Sequence, residues 1–204
     1  MNKIVKYVNV FLMLSALTGI IFEIIVANSL IKPFNYYTLQ SNLIIVLITG
    51  LYILKDSKGQ EKLYIWHLGT TSWILITGVV YHFMLSAIHN PVGLDQISNI
   101  LLHYVTPIGM FFNWLLLTKN KLLSYKSSII TLVFPFIYVT GSMVRGYFTG
   151  FYPYWFMNPI EKAPDGVGSY LAAFRMISLL FVCFFIVGFI MVFVNNLIAK
   201  KRND

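Results

Sequence analysis

Six residues able to do chemistry stand singly inside long apolar runs of this chain: Glu23, Thr38, His82, His103, Arg145 and Arg175. The smallest set that supports covalent chemistry is a hydroxyl and an imidazole within hydrogen-bond reach, with a third group optionally orienting the base. Thr38 and His103 supply both types. Local spacing adds polar neighbours, because Thr38, Ser41 and Asn42 share one helical face, as do Asn99 and His103. Other chemistries fit less well. Glu23 is the only carboxylate in an apolar run, so a two-carboxylate mechanism lacks its second member. His82, His89 and His103 with Glu23 are zinc-ligand types, but none shows the i, i+4 pairing of a helix-borne metal motif. No metal and no cofactor are expected.

The elements that carry these residues follow from composition. Of the 204 residues, 58% are hydrophobic and only 11% charged, with a mean hydropathy of +0.75. A soluble domain carries about a quarter charged residues. Apolar runs of about 20 residues, each long enough to cross hydrocarbon as a helix, fall near 4–27, 36–54, 66–88, 98–118, 127–149 and 169–196. The breaks have chemical causes: Lys32-Pro33, the charged stretch Lys55–Lys62, Asn90-Pro91, Lys119–Lys121, and a last loop with Pro153, Pro159 and Pro164. The expected fold is an all-α, six-transmembrane-helix bundle in a single domain over 1–204. Little length remains for a soluble catalytic domain, so any chemistry belongs among the helices.

Charge sets the expected orientation. Eleven of the fifteen Lys and Arg residues fall on the side of the termini, whereas the opposite loops hold only Lys32 and Lys162. That split predicts a cell-membrane protein with both termini cytoplasmic. The net charge of +8 is read as topology signal and headgroup contact rather than nucleic-acid binding. The first apolar run follows Lys3 and Lys6 like a signal peptide, but it lacks a clean cleavage site and is read as a retained helix. The single cysteine, Cys183, excludes an intramolecular disulfide.

Topology lets depths be compared. Each of the six polar residues lies within about six residues of the outer end of its span, roughly 3–9 Å below the boundary at helical rise. A shared depth predicts one polar pocket in the outer half of the bundle. The alternative is packing: Glu23 paired with Arg145 or Arg175, histidines as interhelical hydrogen bonds, and Thr38 bonded to its own backbone. The aromatic stretch 146–159 reads either as an interfacial belt or as a lid over that pocket.

The run FNYYTLQSNL (34–43), followed by NILLHYVTP (99–107), resembles the androgen-induced-gene family of six-helix membrane proteins. The segments TGVVYHFMLS (77–86) and TGSMVRGYFTGFYPYWF (140–156) look like its bacterial branch. Vertebrate members hydrolyse fatty acid esters of hydroxy fatty acids, with a helix-2 threonine and a His-x-x-x-Pro histidine of helix 4 as the catalytic pair. Those positions match Thr38 and His103, the latter followed by Pro107. The resemblance implies a lipid-ester hydrolase acting on a membrane lipid or lipid-like substrate through an acyl-threonine. In that reading Asn42 or His82 donates to the oxyanion, Arg145 or Arg175 grips a substrate carboxylate, and Glu23 orients His103 or balances an arginine. The rival expectation is a lipid-binding or sensor protein using the same pocket without turnover. A transporter fits less well, since internal repeats are absent.

Overall fold

The computed structural model describes residues 3–118 and 122–203, which form helices and no strand. Six helical segments are long and apolar enough to cross a membrane. Helix α1 is Lys3–Val26 and α2 is Tyr37–Leu54. Helix α3, Ser57–Val80, runs on through a π-helical turn at Tyr81–Leu85. The fourth segment is composite: α4, Leu94–Ile100, a π-helical turn at Leu101–Val105, then α5, Thr106–Leu117. Helices α6, Ile130–Thr149, and α7, Tyr170–Asn203, complete the set. The end opposite the termini, called distal below, carries the α1–α2, α3–α4 and α6–α7 connections.

Side-chain distribution is that of a protein solvated by hydrocarbon. Large apolar side chains such as Phe83 (79% exposed) and Phe148 (79%) face outward, whereas Asn9, Asn42, His67 and Asn113 are fully buried. In water that arrangement would cost both the hydrophobic effect and the polar surface. In lipid, buried polar side chains hold helices together instead.

Helix α3 starts nine residues earlier than the expected span at 66. The charged stretch that reads as a loop is mostly helix because Asp56 caps it, its carboxylate accepting from Gly59 N at 2.8 Å. Gln60 then reaches back to the Tyr52 and Lys55 carbonyls, closing the α2–α3 corner. Lys119 and Lys121, counted toward the orientation, lie outside the described residues.

Each π-helical turn misaligns one carbonyl, and a side chain repairs it. At Leu101–Val105 the Thr106 N–H donates to Leu101 O instead of Leu102 O. The Leu102 carbonyl then accepts from Thr106 Oγ1 at 3.1 Å and Asn42 Nδ2 at 3.3 Å. At Tyr81–Leu85 the Ser86 N–H goes to Tyr81 O, and Ser86 Oγ takes the His82 carbonyl at 2.6 Å. Buried or membrane-embedded carbonyls need such partners. Pro107, lacking an N–H, leaves the His103 carbonyl without its helical donor, so the ladder is already interrupted there. Gly78 on α3 packs against that carbonyl so closely that a Cβ would sit 2.9 Å from the oxygen.

Candidate active site

Thr38 and His103 are joined. Thr38 Oγ1 lies 3.1 Å from His103 Nε2, bridging α2 and the π turn of the fourth segment. Position along α2 explains why this hydroxyl is available. Thr49, Thr70, Thr71 and Thr77 all return their hydroxyl proton to the carbonyl four residues back. Thr38 is the second residue of its helix, and the carbonyl four back, that of Phe34, accepts from Gln40 Nε2 at 2.7 Å. The Thr38 hydroxyl is left to the imidazole.

The far side of His103 fixes its tautomer. Nδ1 lies 2.7 Å from Asn99 Oδ1, while Asn99 Nδ2 donates to the Tyr81 hydroxyl. With the amide oxygen facing the ring, Nδ1 carries the proton and Nε2 is a bare acceptor for Thr38. Tyr81 also stacks on the imidazole at a 3.9 Å centroid distance. Hydroxyl, imidazole and amide therefore stand in the order of a nucleophile, its base and the group that orients the base. Asn99 was visible in sequence only as a residue sharing the face of His103. Tyr81 gave no sequence signal.

The backbone of Thr38 is equally constrained. Its carbonyl accepts from Ser41 Oγ at 3.1 Å and Asn42 Nδ2 at 2.9 Å. Asn42 Oδ1 accepts from Thr106 Oγ1 at 2.7 Å, sharing that hydroxyl's one proton with the more distant Leu102 carbonyl. Both ends of the Asn42 amide are thus engaged in tying α2 to the fourth segment, with its donor on the Thr38 and Leu102 carbonyls.

A small cavity of about 60 Å³ opens beside Thr38. Its walls come from α2, α3, α6, α7 and the 150–169 loop, and are apolar: Ile76, Val80, Val139, Ile177 and Phe184 among them. That lining is of the kind a hydrocarbon chain packs against. The aromatic loop folds inward rather than lying flat at the boundary. Phe156 and Met157 are buried, and with Tyr154 they form part of the cavity wall. The Tyr154 hydroxyl accepts from Tyr37 N at 3.0 Å at the start of α2 and stands against the Thr38 side chain. Burial pushes its phenol up to about 12, so it is a proton donor at neutral pH. No sequence feature marked Tyr154 among the seven aromatics of 146–159.

The remaining sequence candidates gather at the distal end without joining the pair. Glu23 Oε2 accepts from Ser98 Oγ at 3.0 Å between α1 and α4, away from both arginines. His82 is exposed, with Nδ1 3.3 Å from the Tyr104 hydroxyl. Arg175 is exposed on α7. Arg145 Nη1 donates to Asn35 Oδ1, and its guanidinium carbon lies 4.9 Å from the Phe151 ring. Its Nε and Nη2, the edge that grips a carboxylate side-on, are buried with no partner. Asn35 connects it to the cavity, because Tyr138, a cavity residue, donates to the Asn35 carbonyl at 3.0 Å. His89 Nε2 lies 3.4 Å from Asp95 Oδ2, and no cluster fit for a metal ion occurs among the described residues.

These features make the chain a multi-pass, all-helical membrane protein with a buried hydroxyl–imidazole–amide arrangement beside an apolar cavity. It is similar to an uncharacterised protein of Mycoplasma genitalium, MG452, at 25% identity over 195 residues covering 86% of this chain and 74% of that protein. No family model and no solved structure matches.

Proposed function

We propose that this chain is an intramembrane lipid-ester hydrolase of the androgen-induced-gene type, with Thr38 as nucleophile and His103 as base. The observation that carries the reading is the Thr38 Oγ1–His103 Nε2 contact of 3.1 Å, with Asn99 on the opposite ring nitrogen and the apolar cavity alongside. His103 Nε2 takes the Thr38 proton as Oγ1 attacks the ester carbonyl. Collapse of the tetrahedral intermediate expels the alcohol, which takes that proton from Nε2, and leaves acyl-Thr38. Water, deprotonated by Nε2, attacks the acyl carbonyl; the fatty acid leaves and Thr38 recovers its proton. The Tyr154 hydroxyl, already against Thr38, is the nearest donor for the oxyanion. That role passes from Asn42 and His82, the first occupied by carbonyls and the second exposed.

Arg145 is the residue suited to a substrate carboxylate, because its side-on edge is buried and unpartnered while Arg175 is exposed. The lysine distribution favours a cell-membrane protein with both termini cytoplasmic, and therefore a site in the outer leaflet. The test is turnover of a broad panel of lipid esters by purified protein, together with covalent labelling by a serine-hydrolase fluorophosphonate probe. Turnover and labelling that vanish in Thr38→Ala are the expected result. Saturable lipid binding with neither turnover nor labelling would replace this reading with that of a lipid binder.

A further inference from the structure

A run of hydrogen-bonding groups extends from the Thr38–His103 pair to the distal surface. Beyond Asn99, the Tyr81 hydroxyl lies 3.3 Å from His89 Nδ1, and His89 Nε2 lies 3.4 Å from Asp95 Oδ2. The polarity of each link is dictated by its neighbour. An amide nitrogen can only donate, so the Tyr81 oxygen accepts from Asn99 and its own proton is left for His89 Nδ1. That requires neutral His89, with its proton on Nε2 facing the Asp95 carboxylate. Every donor then points outward, from Thr38 through His103, Asn99, Tyr81 and His89 to Asp95. Exposure differs along the run: Tyr81 is 4% and Asn99 7% exposed, whereas the His89 and Asp95 side chains are 43% and 24% exposed. The outer end of the run, at His89, is its most exposed part.

We propose that Tyr81 and His89 are positioning residues through which the protonation state of His89 sets the orientation and tautomer of His103. When His89 gains a second proton, Nδ1 turns from acceptor to donor. The Tyr81 oxygen then faces two donors, and its own proton has lost its acceptor. Tyr81 cannot reorient alone, because its hydroxyl holds Asn99 and its ring lies on His103. The titratable groups facing His89 are Asp95 on α4, Glu23 on α1, Tyr81 on the π turn of α3, and His103. The Tyr104 ring stands edge-on to Tyr81 at 5.9 Å. No proton needs to travel the length of the run, since the Asn99 amide does not relay one. What passes is orientation.

The coupling reaches turnover only if the hydrolase reading holds, so its test is spectroscopic. Protein labelled with ¹⁵N-histidine in nanodiscs is titrated from pH 8 to pH 5, and its four imidazoles are assigned by single His→Gln variants. At pH 8, His103 should show the Nδ1–H tautomer. Its ring shifts should then move with the midpoint of His89. In His89→Gln and in Tyr81→Phe that pH response of His103 should be lost, while buried His67 keeps its wild-type shifts and reports an intact fold. An Nε2–H tautomer for His103, or a His103 response unchanged in both variants, overturns the proposal. Absence of ester turnover alongside an intact response would sink the hydrolase reading and leave this one standing.

Discussion

Two polar clusters occupy opposite ends of this bundle, built from the same residue types. At the distal end Thr38, His103 and Asn99 stand beside a cavity. At the terminal end His67 Nε2 lies 3.1 Å from Asn113 Nδ2, Asn113 and Asn9 exchange hydrogen bonds, and Thr71 Oγ1 stands 3.4 Å from His67 Nδ1. Every one of those four residues is fully buried, and the edge of the Tyr52 ring covers the imidazole. An apolar layer of Leu12, Ala16, Ile45, Ile74 and Met110 packs within the same helices. The hydroxyls mark the difference. Thr71 returns its proton to the His67 carbonyl at 2.8 Å, whereas Thr38 has no such carbonyl to use. The terminal cluster is saturated and closed, which makes it interhelical glue. The distal cluster keeps one hydroxyl committed to an imidazole and leaves room beside it. A histidine and a threonine in contact are therefore not enough; a free hydroxyl proton and adjacent space decide.

The comparison is broken most severely by removing the distal pair. Thr38→Ala should bring hydrolysis and probe labelling to background, and His103→Ala should lower turnover by about 10²–10⁴-fold with the protein still folded in detergent. The double variant should be no worse than Thr38→Ala, because the two act as a unit. Thr38→Ser keeps the hydroxyl and should retain part of the activity. Additive losses in single-turnover assays would separate the two residues.

Asn99→Leu comes next. It removes the side-chain acceptor of Nδ1 and leaves the longer contact to the residue-99 carbonyl at 3.3 Å, so kcat should fall with KM little changed, and Asn99→Asp should restore more activity than Asn99→Leu. A change in KM alone would mean that Asn99 only shapes the cavity.

For the terminal cluster the expected loss is in stability. His67→Leu removes the imidazole acceptor of one Asn113 amide N–H, a cost of about 1–3 kcal/mol for a buried group. Thermal unfolding should drop, while labelling of Thr38 at low temperature stays at the wild-type level. Loss of labelling in a folded His67→Leu protein would show that the clusters are functionally joined.

The smallest effect sharpens the distal site alone. Arg145→Ala should raise KM roughly 10- to 100-fold for esters with a free carboxylate, and leave neutral esters unaffected. Arg175→Ala should change neither, in keeping with its exposed position on α7.

Depth was legible in the sequence and direction was not. Counting residues from the span ends put Glu23, Thr38, His82, His103, Arg145 and Arg175 at one level, and all six do lie toward the distal end. Which way each points depends on the rotation of its helix, and the π turn at Tyr81–Leu85 resets that rotation within α3. Tyr81 consequently turns inward onto His103 while its neighbour His82 turns out. No propensity in the stretch 77–86 announces an extra residue in the turn. The terminal cluster is not legible as a cluster for a related reason. Asn9, His67 and Asn113 come from three helices, and only packing shows that they meet.

By itself, the sequence determined the solvent and the number of crossings. Apolar runs of about 20 residues can satisfy their backbone in hydrocarbon only as helices, and the polar residues among them are then driven inward. It also put Thr38 close to the start of its apolar run. Tertiary structure alone decided that this hydroxyl meets His103, that Asn99 and Tyr81 hold the ring from behind, and that Tyr154 closes over the start of α2. Those contacts join residues up to 117 positions apart. They depend on helix rotation, on two π turns and on how closely Gly78 lets α3 approach the fourth segment. Such angles are set by side-chain packing between helices, which no local periodicity encodes.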